Sequence, residues 1–290
     1  MELKIIVAIA TVGRADLTRR TADLLADQTR PPDSIVVVGA SPADIENVES
    51  ARGHPQVYVA RKGLCSQRNL ALDHVRHAAD ILVFLDDDFV PAPDFLANIE
   101  SLFVQHGDVV GITGELLADG IHHQGYTLEQ ALDIIRDRST DRDAAILPRQ
   151  ALYGCNMALR LSATEGLNFD EALPLYGWQE DIDFTYQLGR RGRLISTGLV
   201  TGVHLGTKGG RTSGKRVGYS QVANIVYLWR KGTMQPGLGE QLMRQNLLSN
   251  LVRSIRPEPH IDRRGRLWGN LVALKDLAFG RIDPRRIETM

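Results

Sequence analysis

The chain has 290 residues, of which 43% are hydrophobic and 24% charged, enough apolar material for one large α/β domain or for a domain with an appendage. Its formal net charge of −1 points to no particular partner. The two cysteines, Cys65 and Cys155, exclude a disulfide framework or a cysteine metal site and read as free thiols of a reducing cytosol, so the expected location is cytoplasmic.

The run Leu3–Ala10 opens the chain as a strand; it is too short and too early closed, by Gly13-Arg14, for a secretory segment. Ser34–Val38, Val57–Ala60 and Asp80–Leu85 are further short apolar runs bounded by Gly, Pro, Asp or Arg, which read as buried strands. Between them lie amphipathic stretches: Ala15–Gln28, with Leu17, Thr21, Leu24 and Leu25 on one face, then Ala43–Ala51, then Cys65–His77. Alternation at this spacing implies βαβ units, hence an α/β fold with a mostly parallel sheet flanked by helices. Ligands of such sheets lie beyond the carboxyl ends of the strands, which makes Thr11–Arg14, Gly39–Ser41, Arg61–Gly63 and Asp86–Asp88 expected neighbours.

Beyond Val90, Pro91 and Pro93 break the chain, Asp94 is placed to cap a helix over Phe95–Gln105, and Val109–Glu115 reads as a strand. Ala118–Arg149 is polar with little period and reads as an insertion or loop region. Tyr153–Arg160 and Arg193–Val203 are strand-like, and Tyr176–Arg191 ends in a charged helix. Ser220–Lys231, Gly239–Ile255 and Gly265–Phe279 read as helices, so the expected division is a catalytic domain over 1–218 and a helical extension over 219–290. No run of ~18 apolar residues offers a bilayer span.

Three clusters carry chemistry. In Ile81-Leu-Val-Phe-Leu-Asp86-Asp87-Asp88, apolar residues run straight into three carboxylates. Burying them unpaired would cost roughly several kcal/mol per ion, so they belong at a strand end, in water or on a cation. Extended backbone turns Asp86 and Asp88 to one side and Asp87 to the other, an arrangement suited to Mg²⁺ or Mn²⁺ and diphosphate oxygens. The plain alternative is an acidic turn ahead of the next helix. In Trp178-Gln-Glu-Asp181, Glu180 and Asp181 fall near a helix first turn, where the dipole favours carboxylates and one can serve as general base; an ordinary acidic turn has the same pattern. His204 ends a strand, and imidazole suits Mn²⁺. After it, Thr207-Lys-Gly-Gly-Arg211 begins a basic, glycine-rich loop that can close over a diphosphate through Lys208 and Arg211. Its spacing is not that of a P-loop.

Taken together and in order, these segments resemble family 2 glycosyltransferases of the GT-A fold, a Rossmann-like mixed sheet. The resemblance spans roughly Ile5 to His204. It rests on Thr11-Val-Gly-Arg14, Gln28-Thr29…Pro32, Gly63…Gln67-Arg68-Asn69, Leu85-Asp-Asp-Asp88, Gly154-Cys-Asn-Met157 and Trp178-Gln-Glu-Asp181. It implies an inverting transfer from a nucleotide-sugar, with Asp86 and Asp87 on the donor, Asp88 and His204 on the metal, Arg68 holding the nucleotide, and Thr11 and Arg14 lining the base pocket. Asp181 would be the base, with Glu180 orienting and Trp178 on the acceptor side. The strand ending at Val38 departs from the pattern: an acidic pair is usual there, whereas here Gly39-Ala40-Ser41 follows. The base would then be read by backbone, Ser41 or Asp44, which leaves UDP-, dTDP- and GDP-sugars open.

The acceptor class implied is a glycan or lipid-linked saccharide, as in polysaccharide or cell-surface glycan assembly. Two other functions compete: a metal-dependent nucleotidyl- or phosphotransferase, which would need a basic glycine-rich loop after the first strand, and a non-catalytic nucleotide-sugar-binding protein, which has no use for Asp181. Residues 244–286 hold ten Lys/Arg against four Asp/Glu. The stretch 263–281, with Trp268 among its apolar residues, fits a membrane surface, a homodimer contact or a helix docked on its own protein. Nucleic acid fits less well, because no stacking aromatics are interleaved with the charges.

Overall fold

The computed structural model describes residues 2–122, 124–139, 144–207 and 213–290. It divides into two compact units. The first comprises residues 2–62, 66–168 and 185–210, less the undescribed positions. The second comprises Gly63–Cys65, Phe169–Phe184 and the chain from Arg211 to its end.

The elements in chain order are β1 (Ile5–Thr11), α1 (Ala15–Ala26), β2 (Ser34–Gly39), β3 (Gln56–Val59), α2 (Leu64–Val75), β4 (Ile81–Asp86), β5 (Phe89–Pro91), α3 (Phe95–Gln105), β6 (Val109–Asp119), α4 (Leu128–Arg136), β7 (Leu147–Pro148), β8 (Asn156–Arg160), α5 (Glu180–Leu188), β9 (Arg193–His204), α6 (Gly214–Lys231), α7 (Pro236–Arg253) and α8 (Arg263–Ala278).

The first unit is built on one sheet in the order β3-β2-β1-β4-β8-β6-β9-β5, with β7 on β9. The first four strands are parallel, β8 runs antiparallel between β4 and β6, and β6 and β9 are again parallel. Ile5, Val7 and Ile9 share a buried cluster with Ile81, Val83 and Leu85. The alternate residues Ile6, Ala8, Leu82 and Phe84 are buried as well. Burial on both faces is why these strands are continuous apolar runs rather than alternating ones. The register pairs Ala10 with Asp86 and Thr11 with Gly39, so three of the four segments expected to be neighbours start from one edge of the sheet.

Three sequence expectations change. Ala43–Ala51 is not one helix but two short 3-10 turns, Pro42–Ile45 and Val48–Ser50, separated by Asn47 at a φ of 60°. A residue in the left-handed region ends a helix between them. The stretch after Ala118 is more ordered than its composition implies. β6 runs on to Asp119, and α4 starts on a full capping box in which Thr127 Oγ1 accepts from Gln130 N–H and Gln130 Oε1 from Thr127 N–H. Thr127-x-x-Gln130 was a legible start signal, obscured by the surrounding charge. Asp94 stands at the start of α3, but its carboxylate takes Arg138 (3.1 Å) instead of a helix N–H.

In the second unit α6, α7 and α8 are the long helices. Tyr219, Val222, Ala223 and Ala273 form their apolar core, joined by Met243 and Leu247. A polar seam lies beside it: Asn250 Nδ2 donates to Gln221 Oε1 (2.8 Å) and Asn270 Oδ1 (2.9 Å), and Asn270 Nδ2 to Gly218 O (2.7 Å). Both asparagines are fully buried, so these bonds are what make their burial tolerable. Gly218 and Gly269 let α6 and α8 approach, since a Cβ on Gly269 would stand 2.0 Å from Lys215 O.

Candidate active site

The apolar run of β4 delivers Asp86 to the sheet edge, and the chain then turns at Asp87 and Asp88 into β5. The turn separates the three carboxylates much as extended backbone would. Asp87 points into the protein, 5% exposed, where Thr11 Oγ1 (2.7 Å) and Arg14 Nη1 (2.6 Å) donate to it. Burial pushes the Asp87 carboxyl up, to about 7, against the pull of Arg14 and Thr11. Asp88 is equally buried but better held. Its Oδ2 accepts Thr207 N–H (2.8 Å), Arg14 stands 3.5 Å away, and His204 Nε2 is 3.3 Å from Oδ1. Burial alone would raise it; His204, Arg14 and Thr207 outweigh that and bring it down to about 2. Asp86 is the most open of the three, bonded by Arg68 Nη2 at 3.2 Å. Arg68 itself is 2% exposed, donates to Gly154 O (2.8 Å) and lies over the Phe84 ring.

Asp86, Asp88 and His204 each bring one ligand atom into a group spanning no more than 4.8 Å. These oxygen and imidazole donors fit Mg²⁺ or, better, Mn²⁺. The support behind His204 strengthens the fit: its Nδ1 is 2.9 Å from Asp119 Oδ1, which fixes the ring with Nε2 toward Asp88, as metal-bound histidines are held. Burial opposes a charge on His204, but Asp119 and Asp88 outweigh it and raise the imidazole to about 10.

Asp119 is a site residue that sequence reading missed. It sat at the border of the charged stretch, past the expected end of its strand. In the structure the parallel register of β6 and β9 sets it beside His204. Gly120 and Gly206 make that approach possible, because a Cβ on Gly120 would lie 1.9 Å from Leu205 O and one on Gly206 2.2 Å from Gly120 C. The Gly206 of Val203-His-Leu-Gly206 was the available signal.

Among the other expected nucleotide contacts, Ser41 donates its hydroxyl to Asp44 (2.8 Å), whose carboxylate also accepts Ala40 N–H (3.1 Å) and Gly13 N–H (2.6 Å). Asp44 thus reaches back from the turn after β2 and ties the loops after β1 and β2 together. Lys208 and Arg211 lie outside the described residues.

Trp178, Glu180 and Asp181 belong to the second unit. Glu180 and Asp181 open α5, as their pattern implied. The approach to them is constrained: Leu175, Gly177 and Gln179 have φ of 58°, 62° and 72°. Gln179 is 8% exposed, and its Oε1 has no hydrogen-bond partner among the described residues. Strain in two non-glycine residues and an orphaned acceptor are features that binding sites concentrate. The segment is braced by Asn224 Nδ2 donating to Trp178 O (2.7 Å), and Tyr176, half exposed, stands 6.1 Å from the Trp178 ring. Below, Asp183 is fully buried and bonded by Lys231 (2.8 Å) and Thr233.

A model of glycosyl transferase family 2 matches residues 6–120. No curated protein matches significantly in sequence. Among solved structures, a mannosyltransferase from Pyrobaculum calidifontis in complex with GDP-Man and Mn²⁺ is similar at a TM-score of 0.52 and 17% identity, over 96% of this chain and 76% of that one. S. aureus TarS 1–349 in complex with UDP-GlcNAc is similar at 0.58 and 15%, over 99% and 83%. Glucosyl-3-phosphoglycerate synthase from Mycobacterium tuberculosis, with Mn²⁺, UDP and glucosyl-3-phosphoglycerate, is similar at 0.52 and 17%, over 81% and 82%. At these identities the likeness is one of fold.

Proposed function

We propose that the chain is a family 2 glycosyltransferase of the GT-A fold, a reading supported by the family model over residues 6–120, and that it moves a sugar from a nucleotide diphosphate-sugar to the hydroxyl of a glycan or lipid-linked saccharide, with inversion. The observation that carries this reading is the group of Asp86, Asp88 and His204, with Asp119 behind the imidazole and Arg68 behind Asp86. Three carboxylates would repel a diphosphate, so the residues make sense as a donor site only with a cation among them. Bound there, Mg²⁺ or Mn²⁺ would supply Lewis-acid neutralisation of the departing diphosphate.

The chain's own residues do the rest. Asp88 and His204 would hold the cation. Asp86, steadied by Arg68, contacts the nucleotide from the open side of the cluster. Asp87 anchors the loop after β1 through Thr11 and Arg14 and so shapes the pocket rather than touching the donor itself. Lys208 and Arg211 contribute positive charge to the diphosphate. Asp181 takes the proton from the acceptor hydroxyl as its oxygen attacks the anomeric carbon from the face opposite the leaving group, and the glycosidic bond forms with inverted configuration. Glu180 orients the reacting hydroxyl, and Trp178 with Tyr176 offers aromatic faces to the acceptor.

A panel of UDP-, dTDP- and GDP-sugars with Mn²⁺ or Mg²⁺ tests the reading, assayed by nucleoside diphosphate release. Turnover of one donor that stops on chelation is expected; no turnover or binding of any donor with either metal refutes it. Asp181→Asn should abolish transfer and leave donor affinity nearly intact, and loss of both would assign Asp181 a structural role.

A further inference from the structure

The second unit turns apolar side chains to solvent in a pattern its own fold does not need. On α7, Leu248, Leu251 and Val252 follow the i, i+3, i+4 spacing of one helix face, and Ile255 follows just past its end. They are 54–77% exposed, while the opposite face of the same helix, with Met243, Leu247 and Asn250, builds the interior. On α8, Trp268 and Leu271 are 59% and 51% exposed, opposite the buried Asn270 and Ala273. Arg264 Nε donates to Ser254 O (3.3 Å), which holds the start of α8 against the end of α7 and brings the two stripes near one another. Contiguous exposed apolar surface of this kind marks a site of association.

Charge decides what associates. All four carboxylates of residues 244–286 are engaged internally. Glu258 pairs with Arg253 (2.6 Å) and Arg263 (2.9 Å), and Asp276 with Arg286 and the Tyr219 hydroxyl. Asp262 accepts the Gly265 N–H at the start of α8, and Asp283 the Arg285 N–H. Arg244, Arg256, Arg264, Lys275 and Arg281 are exposed beside the apolar stripes. Glu240 on α7, Asp262 and Asp283 keep exposed negative charge, but the cations outnumber them, so the outward field of α7 and α8 is cationic on balance. A second copy docked by two-fold symmetry would set this field against itself. No helix is long and apolar enough to cross a membrane.

We propose that α7 and α8 dock the protein on the surface of an anionic lipid bilayer, with the two apolar stripes entering the interface and the cations meeting lipid phosphates. This goes beyond sugar transfer and does not depend on it. Exposed indole suits the interface, where one edge of the ring stays wet.

The test is co-sedimentation of the full chain with phosphatidylcholine vesicles, with and without phosphatidylglycerol, in the absence of any nucleotide-sugar. Binding to the anionic vesicles, weakened by salt, is expected. Arg256→Glu with Lys275→Glu should lower partitioning at least fivefold for each cation lost, given about 1 kcal/mol per basic residue at such a surface. Leu251→Glu with Leu271→Glu should lower it roughly tenfold or more, from the half-exposed leucines that no longer enter the interface. Both pairs are exposed, and circular dichroism melts checks that each variant folds. Failure of the wild-type chain to bind, equal binding to neutral vesicles, or undiminished binding by both variants overturns the proposal. So does self-association in sedimentation velocity without lipid that Leu251→Glu with Leu271→Glu abolishes, since a second copy would then cover the stripes.

Discussion

Lys231→Met removes the countercharge beneath the first turn of α5. Lys231 Nζ bridges Asp170 (2.7 Å) and Asp183 (2.8 Å), and Asp183 has no exposed surface. Breaking a fully buried pair costs about 3–5 kcal/mol, because the remaining ion is left uncompensated. Here the figure is discounted. Lys231 and Asp170 are 28% and 19% exposed, so water screens that half of the bridge, and Thr233 still donates to Asp183. About 2–3 kcal/mol is expected, a melting shift of roughly 4–12 °C at about 2–4 °C per kcal/mol for a cooperative unit of this size. Calorimetry measures it, with Lys231→Arg as the variant that keeps the charge and most of the stability. Asp183 lies in the turn that presents Glu180 and Asp181, so kcat should fall more than KM changes. A Lys231→Met chain that melts within a degree of wild type and transfers at full rate would refute the reasoning. The pH dependence has a definite sign. Burial raises the Asp170 carboxyl, but Lys231, the Ala172 N–H and Tyr227 outweigh it and hold the group below its ordinary value. Its contribution is present above about pH 4 and lost as pH falls through the lowered value. Burial lowers Lys231, whereas Asp170 and Asp183 raise it further, so its share persists through neutral pH and goes only in strong alkali.

Asp119→Asn should weaken Mn²⁺ binding roughly 10- to 100-fold by calorimetric titration, since it loosens the His204 ring without removing a ligand; unchanged affinity would make Asp119 a bystander. Gly120→Ala should cost more than about 2 kcal/mol in urea unfolding, because its Cβ must displace the Leu205 carbonyl. Gln179→Gly relieves about 1 kcal/mol of left-handed strain, so stability should hold or rise slightly while transfer falls. A loss of stability with transfer intact would show Gln179 to be a packing residue.

The parallel half of the sheet was legible because burial on both faces forces continuous apolar runs, as in Ile5–Ala10, Ile35–Val38 and Ile81–Leu85. The acidic triplet was legible for the complementary reason: charge cannot follow such a run unless the strand ends there. His204 was visible as a candidate and its weight came from company. What the linear pattern could not reach were pairings made by strands distant in sequence. Asp119 meets His204 only because β6 and β9 share a parallel register, and Asp44 reaches the Gly13 N–H only because a 3-10 turn folds it back over the loop after β1. Within Asp86-Asp87-Asp88 the opposite facing of Asp87 was readable from strand geometry, whereas the partner each carboxylate meets was a tertiary matter. Three identical side chains in a row acquired different fates from what they faced: Arg68, Arg14 with Thr11, and His204. Local propensity and hydrophobic period act over a few residues and survive in any sequence reading. Electrostatic partners are chosen by distance in space, which only the folded chain defines.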